Sequence, residues 1–225
     1  MGRGLVLVEG HGEVEAVGNL LVRLWQHLGL DPELRWREPL RWPGLATKPG
    51  VERACRFARD EEPDLLLILR DSDEDGACPA TDAPRAAAWI AAARLPFPTA
   101  VVLAYQEYET WFLPSIRSMA GHPRQAGKPG VRPGTLAHPH PEHIRGVKEW
   151  ISDHSDRPYK PTLHQLTLTR LVDCAALLTA GDIPADQPGR VSSAGSLGRA
   201  LVFLAQHRGA SAVYPPPAAL TRKSR

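Results

Sequence analysis

Acidic residues that directly follow apolar runs are the chemistry-bearing feature of this sequence. Glu9 follows a run ending at Val8. Asp71 and Asp73 follow Leu65-Leu-Leu-Ile-Leu69, and Glu107 and Glu109 follow Thr99-Ala-Val-Val-Leu-Ala104. Carboxylates gathered at one place repel one another and take up protons unless a cation neutralises them. Oxygen donors without histidine or cysteine favour a hard ion: magnesium, manganese or calcium. Glu9, Asp71 and Asp73 are therefore expected to share one divalent cation, magnesium first. The alternative, ordinary surface acids in loops, describes most clusters of this kind, but three sets placed just after three buried runs are harder to dismiss as solvated decoration.

The elements that must position these acids are legible in the apolar pattern. Residues 4–8 form a short β-branched run bounded by glycines, the mark of a strand buried on both faces. From Glu13 onward Val14, Val17, Leu20, Leu21, Leu24 and Leu28 recur at helical spacing, and Gly29 follows as a C-cap. Residues 34–36 give a weak strand signal, followed by a loop punctuated at Pro43-Gly44 and Pro49-Gly50. Helices are expected at 51–60 and 86–95, the second just after Pro84, and strands at 64–69 and 98–104. This alternation predicts an α/β fold, a parallel sheet flanked by helices on both faces. In such sheets ligands bind outside the carboxyl ends of the strands, where the acids fall. Beyond Pro114 the chain changes character. Residues 121–142 are dense in Gly, Pro and His and read as an exposed loop. Helices are expected at 143–151, 162–178 and 196–207, with a loop at 181–193 and a frayed tail from Tyr214.

Two other readings of the second acidic segment stay open at this point. Asp71-x-Asp73-x-Asp75-Gly76, with Asp82 at the twelfth position, matches much of a calcium-binding EF-hand loop. A strand precedes it where a helix is required, Pro79 interrupts it, and Asp replaces the bidentate Glu. The strand-borne D-x-D also resembles the nucleophile motif of haloacid dehalogenase-type phosphatases. There it belongs to the first strand and is followed by Thr or Val, whereas Glu74 follows here.

As an ordered set, the motifs resemble a TOPRIM domain, the metal-dependent module of topoisomerases, primases and the overcoming-lysogenization-defect (OLD) nucleases. Val8-Glu9-Gly10-x-x-Glu13 is similar to the glutamate motif that ends the first strand of that fold, and Asp71-x-Asp73 to its second motif. More closely, the chain resembles a bacterial family with an OLD-like TOPRIM fold, through Glu107-x-Glu109-x-Trp111 and Tyr159-Lys160 with His164-Gln165. Pro161 after Lys160 and the His/Pro loop depart from the pattern.

The resemblance implies a TOPRIM-like catalytic core over residues 1–120, a loop and helical extension packed on it over 121–213, and a flexible tail over 214–225. It implies a Mg2+ (or Mn2+)-dependent nuclease in which Glu9, Asp71 and Asp73 hold one ion. Glu13, with Glu107 or Glu109, would help hold a second, and Lys160 would offset phosphate charge. The partners implied are nucleic acid, DNA before RNA, a separately encoded ATPase and a second copy of the chain, and the implied setting is defence against phage. A non-catalytic subunit of an ATPase complex is the second reading.

The remaining signals are weaker. Net charge is +2, so any nucleic-acid surface must be local, and Arg117, Arg124, Lys128, Arg132, Arg145 and Lys148 make one stretch basic. Solvated loop charge accounts for that stretch about as well. His138, His140 and His143 lie close but are broken by prolines, which argues against zinc. Gly10-His11-Gly12 suits a tight turn, and there is no ATP-binding P-loop motif. Trp25, Trp111 and Trp150 are expected in the core rather than stacked on bases. Three widely spaced cysteines indicate neither a disulfide framework nor zinc, which fits a reducing cytoplasm. The apolar start meets Glu9 too early for a signal peptide or membrane span.

Overall fold

The computed structural model describes residues 1–73, 76–120, 122, 130–182 and 192–218. The sheet runs β2-β1-β4-β5-β6, and β3 also pairs with β1, every named pairing being parallel. Its strands are β1 (Gly2–Val8), β2 (Leu34–Trp36), β3 (Leu40–Arg41), β4 (Leu65–Ser72), β5 (Thr99–Tyr105) and β6 (Val213–Tyr214). The three central runs are apolar at every position because both faces are covered. Val6, Val8, Leu67, Leu69, Val102 and Ala104 face one core with α1 (Glu13–His27) and the C-terminal helices. Leu5, Leu7, Leu66, Ile68, Val101 and Leu103 face the other, with α2 (Lys48–Glu61) and α3 (Pro79–Ala93). Fully burying one such leucine contributes roughly 1.5–3 kcal/mol, so this sandwich fixes the strand ends firmly.

The chain steps from β1 outward to β2 and β3, then returns to place β4 on the opposite side of β1. The direction of winding thus reverses between β1 and β4. In open α/β sheets such a reversal, at the carboxyl ends of the strands, is the usual ligand position. Register places Val8 opposite Leu69 and Asp71 opposite Ala104, so Glu9, Asp71 and the start of the segment after β5 reach the same edge.

After β5 the chain forms a 3-10 helix (Tyr108–Ser115), α4 (Ile116–Ala120), a short 3-10 turn (Pro141–His143), α5 (Val147–Asp153), α6 (Pro161–Thr169), α7 (Cys174–Asp182) and α8 (Ser192–Gln206). Several elements differ from expectation. β3 is two residues long, too short to show a period. α3 begins at Pro79 and carries Pro84 inside it; Asp82 accepts from the Cys78 amide at 2.9 Å, which starts the helix early. The helix expected over 162–178 is two helices, because Asp173 Oδ1 accepts from the amides of Ala175 and Ala176 and begins α7 afresh. α5 starts later than expected and α8 earlier. Tyr214, expected in a frayed tail, is in β6, with Val213 opposite Thr99. Of the loop expected over 121–142, residues 121 and 123–129 lie outside the described residues, as do 183–191 of the second loop and 219–225 of the tail. Val131 is buried and bridges to Ser155, which anchors the end of the first loop.

Candidate acidic centre

Three carboxyl groups converge at this edge of the sheet. Asp71 continues the side-chain alternation of Leu67 and Leu69, so it emerges on the α1 face of the sheet. Glu13 opens α1 and is 5% exposed; Glu109, in the 3-10 helix after β5, is 1% exposed. The Glu13 carboxyl turns back toward the amides of Gly10 and Glu9. A Cβ on Gly10 would sit 2.7 Å from Glu13 Oε1, so the end of that carboxylate would have to shift to admit one. The other oxygen, Oε2, is buried with no hydrogen-bond partner among the described residues.

Burial pushes the Glu13 carboxyl from 4.5 up to about 7, with the Gly10 amide opposing and the charges of Glu109 and Glu9 adding. Asp71 is held well above the usual carboxylate range by burial and then by Glu13 and Glu109. Glu109 is raised by burial, with Lys148 and the Tyr159 hydroxyl opposing. Glu109 lifts Glu13, and both lift Asp71, as expected of carboxylates sharing one low-dielectric site.

One lysine answers them. Lys148, in the first turn of α5, places Nζ 3.2 Å from Glu107 Oε1 and 3.9 Å from Glu109 Oε2, and its amide donates to Glu107 Oε2 at 3.3 Å. Burial alone would lower its pKa, but Glu109, Glu107 and Asp71 raise it on balance. The Tyr159 hydroxyl donates to Glu109 Oε1 at 2.9 Å. Lys160, the lysine expected at the centre, is exposed at the start of α6, and its amide donates to His164 Nδ1. The structure thus brings Tyr159 of that segment to the acids and supplies the cation from α5.

Glu9 and Asp73 sit at the margins. Glu9 follows β1 half-buried; its carbonyl accepts from Arg41 Nε at 3.3 Å, and its charge is felt at Glu13. Asp73 is exposed and raises Asp71. It lines a cleft of about 280 Å3 together with Ser72, Tyr105, Gln106, Glu107 and Arg145. Glu74 and Asp75 lie outside the described residues. Among the described residues no group of three His, Cys, Asp or Glu side chains is already arranged to hold a metal ion. Asp71 is coupled more strongly to Glu13 and Glu109 than to Asp73.

The segment carrying Glu107 and Glu109 is tied down from several sides. Gln106 has φ +60°, and its amide donates to Ser72 Oγ while Ser72 Oγ donates to the Ala104 carbonyl. Gln106 Nε2 donates to the Glu142 carbonyl. The Glu142 carboxylate accepts from Ser192 Oγ, Ser193 N and Ser193 Oγ at the start of α8, and Trp111 Nε1 donates to Ser193 Oγ at 2.9 Å. Trp111 and Trp25 are buried in the core, and Trp150 stacks on His154. His140 stacks on His143, and His138 Nδ1 accepts from the His140 amide. A Cβ on Gly12 would lie 2.1 Å from Gln165 Oε1, so close packing of α6 on the turn explains that glycine. Arg117, Arg132 and Arg145 are exposed; Arg124 and Lys128 lie outside the described residues.

Together these features define an α/β protein with a parallel sheet and a buried acidic cluster at the carboxyl edge where its winding reverses. A family model matches residues 8–181, and the chain belongs to that family, described as Domain of unknown function (DUF4276). The matched span includes every acid from Glu9 to Glu109 as well as Lys148 and Tyr159. A search of the curated proteins finds no match. Among the described residues no helix is long and apolar enough to cross a membrane.

Proposed function

We propose that the acidic centre binds magnesium or manganese and hydrolyses phosphodiesters of nucleic acid, in the manner of the TOPRIM modules the sequence resembles. The observation that carries this reading is Glu13 Oε2, a carboxylate oxygen buried without a partner among the described residues, close to the carboxyl groups of Asp71 and Glu109. Leaving such an oxygen unsatisfied is costly. A hard divalent cation removes that cost, and the donor set of carboxylates without imidazole or thiolate suits one.

Asp71 and Glu13 would hold the ion, with Glu9 beside Glu13 and with Asp73 and Glu107 at the rim. A bound cation supplies Lewis acidity and a water of lowered pKa. The chain's own groups do the rest. Tyr159 orients Glu109, and Lys148 balances Glu107 and Glu109 so that the cluster carries less surplus negative charge toward an incoming phosphate. Placement at the winding reversal lets loops from separate strands reach the same substrate.

Incubation of the purified protein with plasmid, single-stranded and duplex substrates in magnesium is expected to give cleavage that EDTA stops and Asp71→Ala abolishes. Equal cleavage by the Asp71→Ala protein would overturn the proposal.

A further inference from the structure

Two polar clefts open on either side of the acidic centre along the carboxyl edge of the sheet. One, of about 280 Å3, lies beyond β4 and β5 and includes Asp73, Tyr105, Glu107 and Arg145. The other, of about 560 Å3, lies where the turn after β1 meets α6, and includes His11, Gly12, Thr162, Thr167 and Arg170. In the order β1-β4-β5, Asp71 stands between them. Among the described residues each cleft has one exposed arginine, Arg145 or Arg170, at its wall. Acids share both walls, Asp73 and Glu107 in one and Glu15 and Glu38 in the other, so the described residues give a bare anion no broad positive surface in either.

We propose that the substrate is a single-stranded polynucleotide laid across the centre, with one nucleotide unit entering each cleft. Arg145 and Arg170 grip the phosphates on either side of the bond that lies over Asp71. This rests on the phosphodiester reading above and narrows its substrate.

Three observations carry it. First, the reacting floor is recessed: Glu13 is 5% and Glu109 1% exposed and Asp71 is half-buried, so a phosphodiester enters between walls to meet them. A stacked duplex keeps its phosphates on a convex surface and its bases turned inward. A single strand can splay successive nucleotides into separate clefts and stack a base on an aromatic ring. Tyr105, half-buried at the end of β5, offers such a ring in the smaller cleft. Second, the smaller cleft falls just below the roughly 300–1,000 Å3 of drug-sized pockets, which is room for one nucleotide unit. Third, its wall is built with strain: Gln106 holds φ +60° and is locked by Ser72 and Glu142. Such conformations persist where the surroundings over-determine them, and they cluster at ligand sites.

Because clefts lie on both sides of the acids, the bond cut is internal to the strand. Water adds to phosphorus, the bond to one sugar oxygen breaks, and that oxygen takes the proton. The products are one strand ending in a phosphomonoester and one ending in a hydroxyl.

The test is fluorescence anisotropy with fluorescein-labelled 12-mers of single-stranded DNA, single-stranded RNA and duplex DNA, in calcium to slow turnover. Single strands are expected to bind at least about ten-fold more tightly than duplex. Arg145→Ala and Arg170→Ala should each weaken single-strand binding about ten-fold, in line with loss of a phosphate contact, and Arg145→Lys should restore part of it. Thermal melting by circular dichroism verifies that each variant is folded. Equal binding of single strand and duplex, or wild-type affinity in both alanine variants, overturns the inference. Magnesium calorimetry on the same proteins separates the two claims. Undiminished magnesium binding with no strand binding sinks the clefts and spares the cation; arginine-dependent strand binding without magnesium binding does the reverse.

Discussion

Replacing Glu13 with glutamine probes the electrostatics of the centre directly. The Glu13 carboxyl rises from 4.5 to about 7 on folding, chiefly through burial. An acid whose folded pKa is raised binds its proton more tightly in the folded state. The associated stability is fully present below pH 4.5 and is lost as pH climbs through 7. A rise of this size corresponds to about 3 kcal/mol. Glutamine keeps the shape and cannot ionise, so at pH 8 in EDTA the variant escapes that loss. Its amide brings a donor that costs about 1 kcal/mol or more if unmatched. The net expectation is that Glu13→Gln is more stable than wild type by about 1–3 kcal/mol at pH 8 and no more stable at pH 4. Urea denaturation followed by circular dichroism at both pH values measures this. Equal destabilisation of the variant at pH 4 and pH 8 would show that Glu13 bears no buried charge and refute the reasoning.

Other perturbations follow from the same geometry. Lys148→Met removes the cation beside Glu107 and Glu109; with the lysine side chain 33% exposed, the cost is below that of a fully buried pair, about 1–3 kcal/mol at pH 8. The cost should shrink toward low pH as Glu109, whose carboxyl burial raises, takes up its proton, and urea titration at pH 8 and pH 5 would reveal a flat response if the pairing were immaterial. Gly10→Ala puts a Cβ where Glu13 Oε1 lies. Because the end of a flexible side chain can move, stability should change by less than about 1 kcal/mol while magnesium affinity measured by calorimetry falls about ten-fold, or 1.4 kcal/mol. Unchanged affinity would remove Glu13 from the ion site.

The strands were readable because they are covered on both faces, which makes each run apolar throughout, and the acids at their ends were readable with them. The grouping of those acids was not. Glu9, Asp71 and Asp73 share an edge, yet the alternation that sends Leu67 and Leu69 to the α1 face carries Asp71 toward Glu13 and Glu109. Lys148 and Tyr159 reach Glu107 and Glu109 from 41 and 50 residues away in sequence, through packing of the C-terminal helices that no local pattern encodes. In the sequence Lys148 stands only among several basic residues. Lys160, singled out beside Tyr159, lies one residue past the side chain that turns inward, and the helix that starts at Pro161 leaves it at the surface. β3 and β6 are two residues each and owe their existence to a neighbouring strand rather than to a periodic signal.

The central claim is the proposed binding of a divalent cation at the acidic centre. Isothermal titration of magnesium into wild type and Asp71→Asn at pH 8, after treatment with EDTA, tests it most directly. The account predicts saturable binding by wild type, accompanied by a raised melting temperature, and loss of both in the variant. No saturable binding by wild type, or the same affinity in Asp71→Asn, would contradict it.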